Sequence, residues 1–225
     1  MSLLNHSLGS LAREIPGATR VFHHYRLDYC CSGNALLSEA LSERGLDAAE
    51  VIARLEALPA RCDNSPNWAE AGTNELIDHI LARYHEVHRQ QLPELIELAR
   101  RVEAVHGEHP LCPHGLADHL AEMRQELESH MQKEEQILFP MLRRGLFMQA
   151  TGPISVMRLE HDDHGQALAR LLELTEHLSL PADACASWQA LYGGIEELQN
   201  DLMQHIHLEN NLLFSPSRHQ EVQHG

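Results

Sequence analysis

Residues 129–139, SHMQKEEQILF, and residues 204–214, QHIHLENNLLF, spell one pattern twice: a His, three residues, a Glu, two residues, then an aliphatic-Leu-Phe run. The first copy supplies His130, Glu134 and Ile137-Leu138-Phe139, the second His205, Glu209 and Leu212-Leu213-Phe214. On an α-helix, residues four apart stand above one another on one face. Each copy therefore aims an imidazole and a carboxylate at one point, with apolar residues at the adjoining turn.

The repeat extends upstream. Residues 85–92 read HEVHRQQL and residues 161–168 read HDDHGQAL, both as His, acid, any residue, His, any residue, Gln, any residue, Leu. His85 precedes His130 by 45 residues and His161 precedes His205 by 44. Self-similarity at a fixed period points to two helical hairpins of one design. Each contributes a His from its first helix and a His plus a Glu from its second.

Around this repeat the chain divides into a small helical module over 1–58, a linker over 59–73, a bundle over 74–217 and a tail over 218–225. In the module, Leu8–Ile15, Ala18–Tyr25, Ala35–Arg44 and Ala48–Ala57 carry helical periodicity, and a Ser-Gly-Asn turn follows Cys30-Cys31. The bundle reads as four long helices: about 75–105 with a kink at Pro93, about 115–144, one opened by Gly152-Pro153 and running to about 178, and about 185–213. Long helices with short connections make an antiparallel four-helix bundle, so the fold class is all-α with a small N-terminal helical domain. An aromatic content of 4% agrees with a Leu/Ala-rich helical protein rather than a β-sandwich.

Folding the helices at their turns puts His85 level with residue 135, residues 130–134 level with 162–166, and His161 level with His205. The six residues His85, His130, Glu134, His161, His205 and Glu209 are thereby expected in one layer. His106 stands 21 residues beyond His85 on the same helix, ~30 Å away, and is left out.

Four imidazoles and two carboxylates converging inside a bundle are costly to bury unless a cation joins them. Nitrogen and carboxylate donors without thiolate suit Fe, Mn or Zn and exclude a structural cysteine-type zinc site. Six side chains exceed the needs of one tetrahedral Zn, and two Glu able to bridge point to two metal ions ~3.5–4 Å apart. Two His per ion, both Glu and a bridging oxo or hydroxo group give five donors and leave one position open. This set differs from the Glu-x-x-His pairs of carboxylate-rich di-iron bundles and favours ferrous or mixed-valent iron that meets O2 or NO.

With those residues in view, the chain resembles the hemerythrin-like domain. Nearly end to end it is similar to the bacterial di-iron iron–sulfur cluster repair family, also described as regulators of cell morphogenesis and nitric oxide signalling. The stretches that carry the resemblance are LGSLAREIPGATRVFHHYRLDYCCSG, IDHILARYHEVHRQQLPEL, SHMQKEEQILFPM, GPISVMRLEHDDHG and LMQHIHLENNLLF. One departure is Phe214-Ser215-Pro216, where the family tends to place Pro directly after Phe. The resemblance implies two non-haem Fe ions, reactivity with NO, restoration of clusters after nitrosative or oxidative damage, and an N-terminal domain whose paired cysteines assist the bundle.

Several residues keep two readings at this level. Cys30-Cys31 is either a packed turn or a redox or metal-handling pair, since neighbouring cysteines bond to each other only with strain; the resemblance favours the second. Glu126 and Glu160 either tune the site and line an access path or lie on a helix surface. His88 and His164 are surface or interface histidines, or further donors. For the whole chain, a repair factor stands against a hemerythrin-type O2 or NO binder without turnover and against an enzyme that reduces NO or oxidises ferrous iron. The cysteine module favours the repair factor.

The remaining expectations follow from charge and hydropathy. With 33 acidic residues against 17 Lys and Arg, the net charge of −16 disfavours nucleic acid and anionic membranes as partners. No apolar run approaches a membrane span and no signal peptide is evident, so a reducing cytoplasm is expected. The expected partners are damaged iron–sulfur proteins and the small molecules NO and O2, with residues 1–58 available to pair in a homodimer.

Overall fold

The computed structural model describes residues 3–15, 17–25, 27–30, 33–58, 68–216 and 218. Among them the chain is helical, the one extended feature being an isolated bridge between Ser7 and Leu36. Contacts divide the chain into two compact units, residues 77–202 and residues 1–76 with 203–225.

In the second of these, α1 (Leu8–Glu14), α2 (Ala18–His24), α3 (Leu37–Glu43) and α4 (Ala48–Glu56) are short. Caps set two of the starts: Ser7 accepts from the Ser10 N–H and Asp47 from the Ala49 N–H. Leu8, Leu11, Phe22, Leu37, Leu41, Val51 and Leu55 form the core. The C-terminal segment belongs to this unit through its amides. Asn210 Nδ2 donates to the Cys30 carbonyl at 3.1 Å, Asn211 Nδ2 to the Tyr29 carbonyl at 3.4 Å, and the Tyr29 and His207 rings meet edge-on. Gly33 permits this approach, because a Cβ there would stand 2.6 Å from Asn211 Oδ1.

The other unit is built from the long helices that follow α5 (Thr73–Ile80): α6 (Glu86–His106), α7 (Leu116–Lys133), the short α8 (Phe139–Arg143), α9 (Phe147–Leu174) and the first turns of α10 (Ala186–Leu208). Polar ties give the directions. Arg89 pairs with Glu128 and the Ala117 N–H with Glu103, so α6 and α7 are antiparallel. His119 bonds the Ala167 carbonyl and His130 pairs with Glu160, so α7 and α9 are antiparallel. Arg83 grips Asp201 and Gln91 donates to the Gly194 carbonyl, so α10 runs back along α6. The expected antiparallel four-helix bundle is present.

Three expectations need correction. The helix assigned to start at Gly152-Pro153 begins at Phe147, with Pro153 inside it. With that earlier start, residue 130 is level with 160 rather than 166. The helix read as continuous from about 75 to 105 is interrupted at Leu81–His85, which forms a π-helical turn, and Pro93 lies inside α6. Two further π turns, Glu134–Leu138 and Glu209–Leu213, break helices read from sequence as uniform.

Candidate metal centre

Each of those π turns begins or ends on an expected donor: His85 closes the first, Glu134 opens the second and Glu209 opens the third. In a π turn the N–H reaches back five residues instead of four. Phe139 N–H bonds the Glu134 carbonyl, and Phe214 N–H bonds the Glu209 carbonyl at 2.7 Å, so the two copies of the motif share one backbone irregularity. Pro140, which has no N–H to give, stands two residues beyond the end of the second turn.

The donors are deeply buried: His85, His161, Glu134 and Glu209 have no exposed surface, and His130 and His205 have 1%. Glu134 Oε2 stands 3.4 Å from both His85 Nε2 and His130 Nε2. His161 Nε2 is 3.1 Å from His130 Nε2, and His205 Nε2 is 3.2 Å from Glu209 Oε1. Among the described residues, His130, Glu134 and His161 each bring one donor atom within 4.8 Å of the others.

The outer nitrogens show which charge this arrangement takes. His85 Nδ1 meets Glu135 Oε1 at 2.8 Å, and His130 Nδ1 meets Glu160 Oε2 at 2.9 Å. A carboxylate accepts only, so Nδ1 is the protonated nitrogen in each neutral ring and Nε2 turns a lone pair toward Glu134. A lone pair facing a carboxylate oxygen needs a positive charge between them, a proton or a metal ion. A buried, thiolate-free set of His and Glu donors fits iron.

Of the residues with two readings, Glu160 contacts His130 and also Lys133. Glu126 is exposed and lines, with Glu160, Lys133 and His164, a cavity of about 650 Å³. His164 is buried with its ring edge-on to His130 at 5.0 Å, and His88 is buried beside Tyr84, whose hydroxyl burial pushes up to about 12. Neither His88 nor His164 joins the donor group of His130, Glu134 and His161. His106 lies elsewhere, 3.2 Å from Cys185 Sγ. Cys30 is buried, its N–H and Sγ both 3.2 Å from Asp28 Oδ1; Cys31 lies outside the described residues. Sequence reasoning missed Glu135, Lys133, Arg89 and Glu128. The second acid of the KEEQ run was the available signal, but the other copy reads LENN and so hid it.

Comparison with known proteins agrees with this geometry. Residues 76–215 match the family described as Hemerythrin HHE cation binding domain, and residues 4–59 match a domain of unknown function, DUF542 (ScdA_N). The iron-sulfur cluster repair protein YtfE of Musicola paradisiaca (strain Ech703) is 52% identical over 92% of this chain and 94% of its own length. The protein of the same name from Yersinia pseudotuberculosis serotype IB (strain PB1/+) is 50% identical over 95% of this chain and 97% of its own.

Proposed function

The chain belongs to the hemerythrin HHE cation-binding family, among the iron–sulfur cluster repair proteins, and from that membership we propose a repair function for it. It restores iron–sulfur clusters damaged by nitrosative or oxidative stress, and His85, His130, Glu134, His161, His205 and Glu209 hold two non-haem irons with an oxo or hydroxo bridge. The observation that supports this most directly is the buried donor group of His130, Glu134 and His161, with His85 Nε2 3.4 Å from the same Glu134 carboxylate. Such iron would supply NO and redox chemistry together with an ion that a damaged cluster can take up.

The chain's own residues divide the remaining work. Glu134 and Glu209 would supply carboxylate oxygens to the ions. Glu160 fixes the His130 ring and, with Glu126, gives the adjoining cavity acidic walls along which a cation or small molecule can pass. Partners are proteins with damaged clusters, met in the cytoplasm, and residues 1–58 with their cysteines assist and can pair two chains. Among the described residues no helix is long and apolar enough to cross a membrane.

The test uses the iron-loaded protein and an NO-inactivated [4Fe–4S] enzyme under anaerobic conditions. Activity regained beyond a metal-free control is expected, and no gain would refute repair; a stable, reversible O2 adduct without repair would mark a carrier instead. Mössbauer spectra of the same preparation should show two antiferromagnetically coupled irons per chain, and Glu134→Leu should abolish the coupling.

A further inference from the structure

Glu134 and Glu135 are adjacent in sequence yet grip opposite edges of the same imidazole. Glu134 Oε2 is 3.4 Å from His85 Nε2, while Glu135 Oε1 is 2.8 Å from His85 Nδ1. Both acids lie in the π turn Glu134–Leu138, which opens the backbone where α7 passes the end of the turn carrying His85. Glu135 is itself held. Arg89 Nη2 stands 2.9 Å from Glu135 Oε1, and the same guanidinium reaches Glu128 at 2.9 Å through Nε. The ordered chain is thus His85, Glu135, Arg89, Glu128, leading from a fully buried ring to a carboxylate at the surface. Glu135 and Arg89 also line a cavity of about 440 Å³ with Asp78, Phe139 and Arg143.

We propose that Glu135 is a positioning residue for the metal centre: it accepts the Nδ1 proton of His85, fixes the tautomer and ring plane, and so keeps Nε2 aimed inward. The inference rests on the reading of His85 as an iron ligand. A carboxylate behind an imidazole also makes the inward nitrogen a stronger donor, and such partners typically alter metal affinity 10–100-fold. Arg89 holds Glu135 in place. The second copy of the motif has no equivalent at this position: Asn210 replaces the acid, and its amide donates to the Cys30 carbonyl. The support is therefore particular to the first hairpin and not a by-product of the duplication.

The experiment compares wild type with Glu135→Gln, Glu135→Ala, His85→Ala and, as control, Glu97→Gln, whose acid lies on the exposed face of α6 paired with Arg100. Each protein is loaded with ferrous iron, and release to a chromogenic chelator is timed. Glu135→Ala should lose iron at least about tenfold faster than wild type, Glu135→Gln should fall between them, and Glu97→Gln should match wild type. Long-range 15N–1H spectra of the metal-free protein read the tautomer directly: Nδ1–H at His85 in wild type, and a shift toward Nε2–H in Glu135→Ala. Should that variant unfold, Glu135→Gln, which keeps an acceptor oxygen at Nδ1, carries the comparison. Wild-type release and an unchanged His85 tautomer in the Glu135 variants would overturn the inference even if His85→Ala loses its iron. Full iron retention by His85→Ala would remove the ligand reading beneath it.

Discussion

The residue scale shows how far local partners set chemistry. Cys185 stands just before α10, where Trp188 and Ser187 backbone N–H groups and His106 Nε2, 3.2 Å away, favour its thiolate, and its acidity is raised accordingly. Burial pushes the Cys112 thiol the other way. Alkylation by iodoacetamide followed across pH should therefore modify Cys185 ahead of Cys112 and with a lower midpoint, and His106→Ala should move that midpoint up. Equal rates at the two positions, read by peptide mass spectrometry, would contradict this. The same scale marks what was legible in the sequence. The His and Glu of the repeated pattern stood out because helical spacing puts them on one face and the pattern occurs twice. Glu135 did not, because its counterpart is Asn210 and no periodicity links an acid to the ring nitrogen of a residue 50 positions away. Glu160 was named for its place beside His161, whereas the ring it holds is that of His130.

Elements obey propensity less closely than residues obey pairing. Helix ends in the small module fell within two residues of expectation, since Gly45 and the capping Ser7 and Asp47 punctuate it. The π turns left almost no trace, because one extra residue in a turn does not disturb an apolar stripe; Pro140 is the only local hint. Pro153 misled in the opposite sense. It lies in the second turn of α9, where its missing N–H leaves a carbonyl without its helical donor. Pro153→Ala should raise the urea stability of the protein by about 1–3 kcal/mol, the range set by proline's cost inside helices. A lowered midpoint would show that the proline stabilises α9.

For the whole molecule, charge is the dominant long-range force. A net charge of −16 on 225 residues means that self-repulsion opposes compactness. Ion pairs such as Arg100–Glu97 and Arg170–Glu173 lie at the surface and contribute about 0–1 kcal/mol each. Raising ionic strength from 0.01 to 0.15 M shortens the screening length from about 30 to about 8 Å, and relief of repulsion should outweigh the weakened pairs. The thermal midpoint should rise over that interval in scanning calorimetry; a fall would mean that specific pairs dominate. The widened turns bear on another matter, the transplanting of this motif. An engineer who copied all six side chains onto four idealised rods would preserve the chemistry on paper and misdirect it in space. What has to travel with those residues is the surplus residue in the coil beside them, a graft of backbone rather than of side chains.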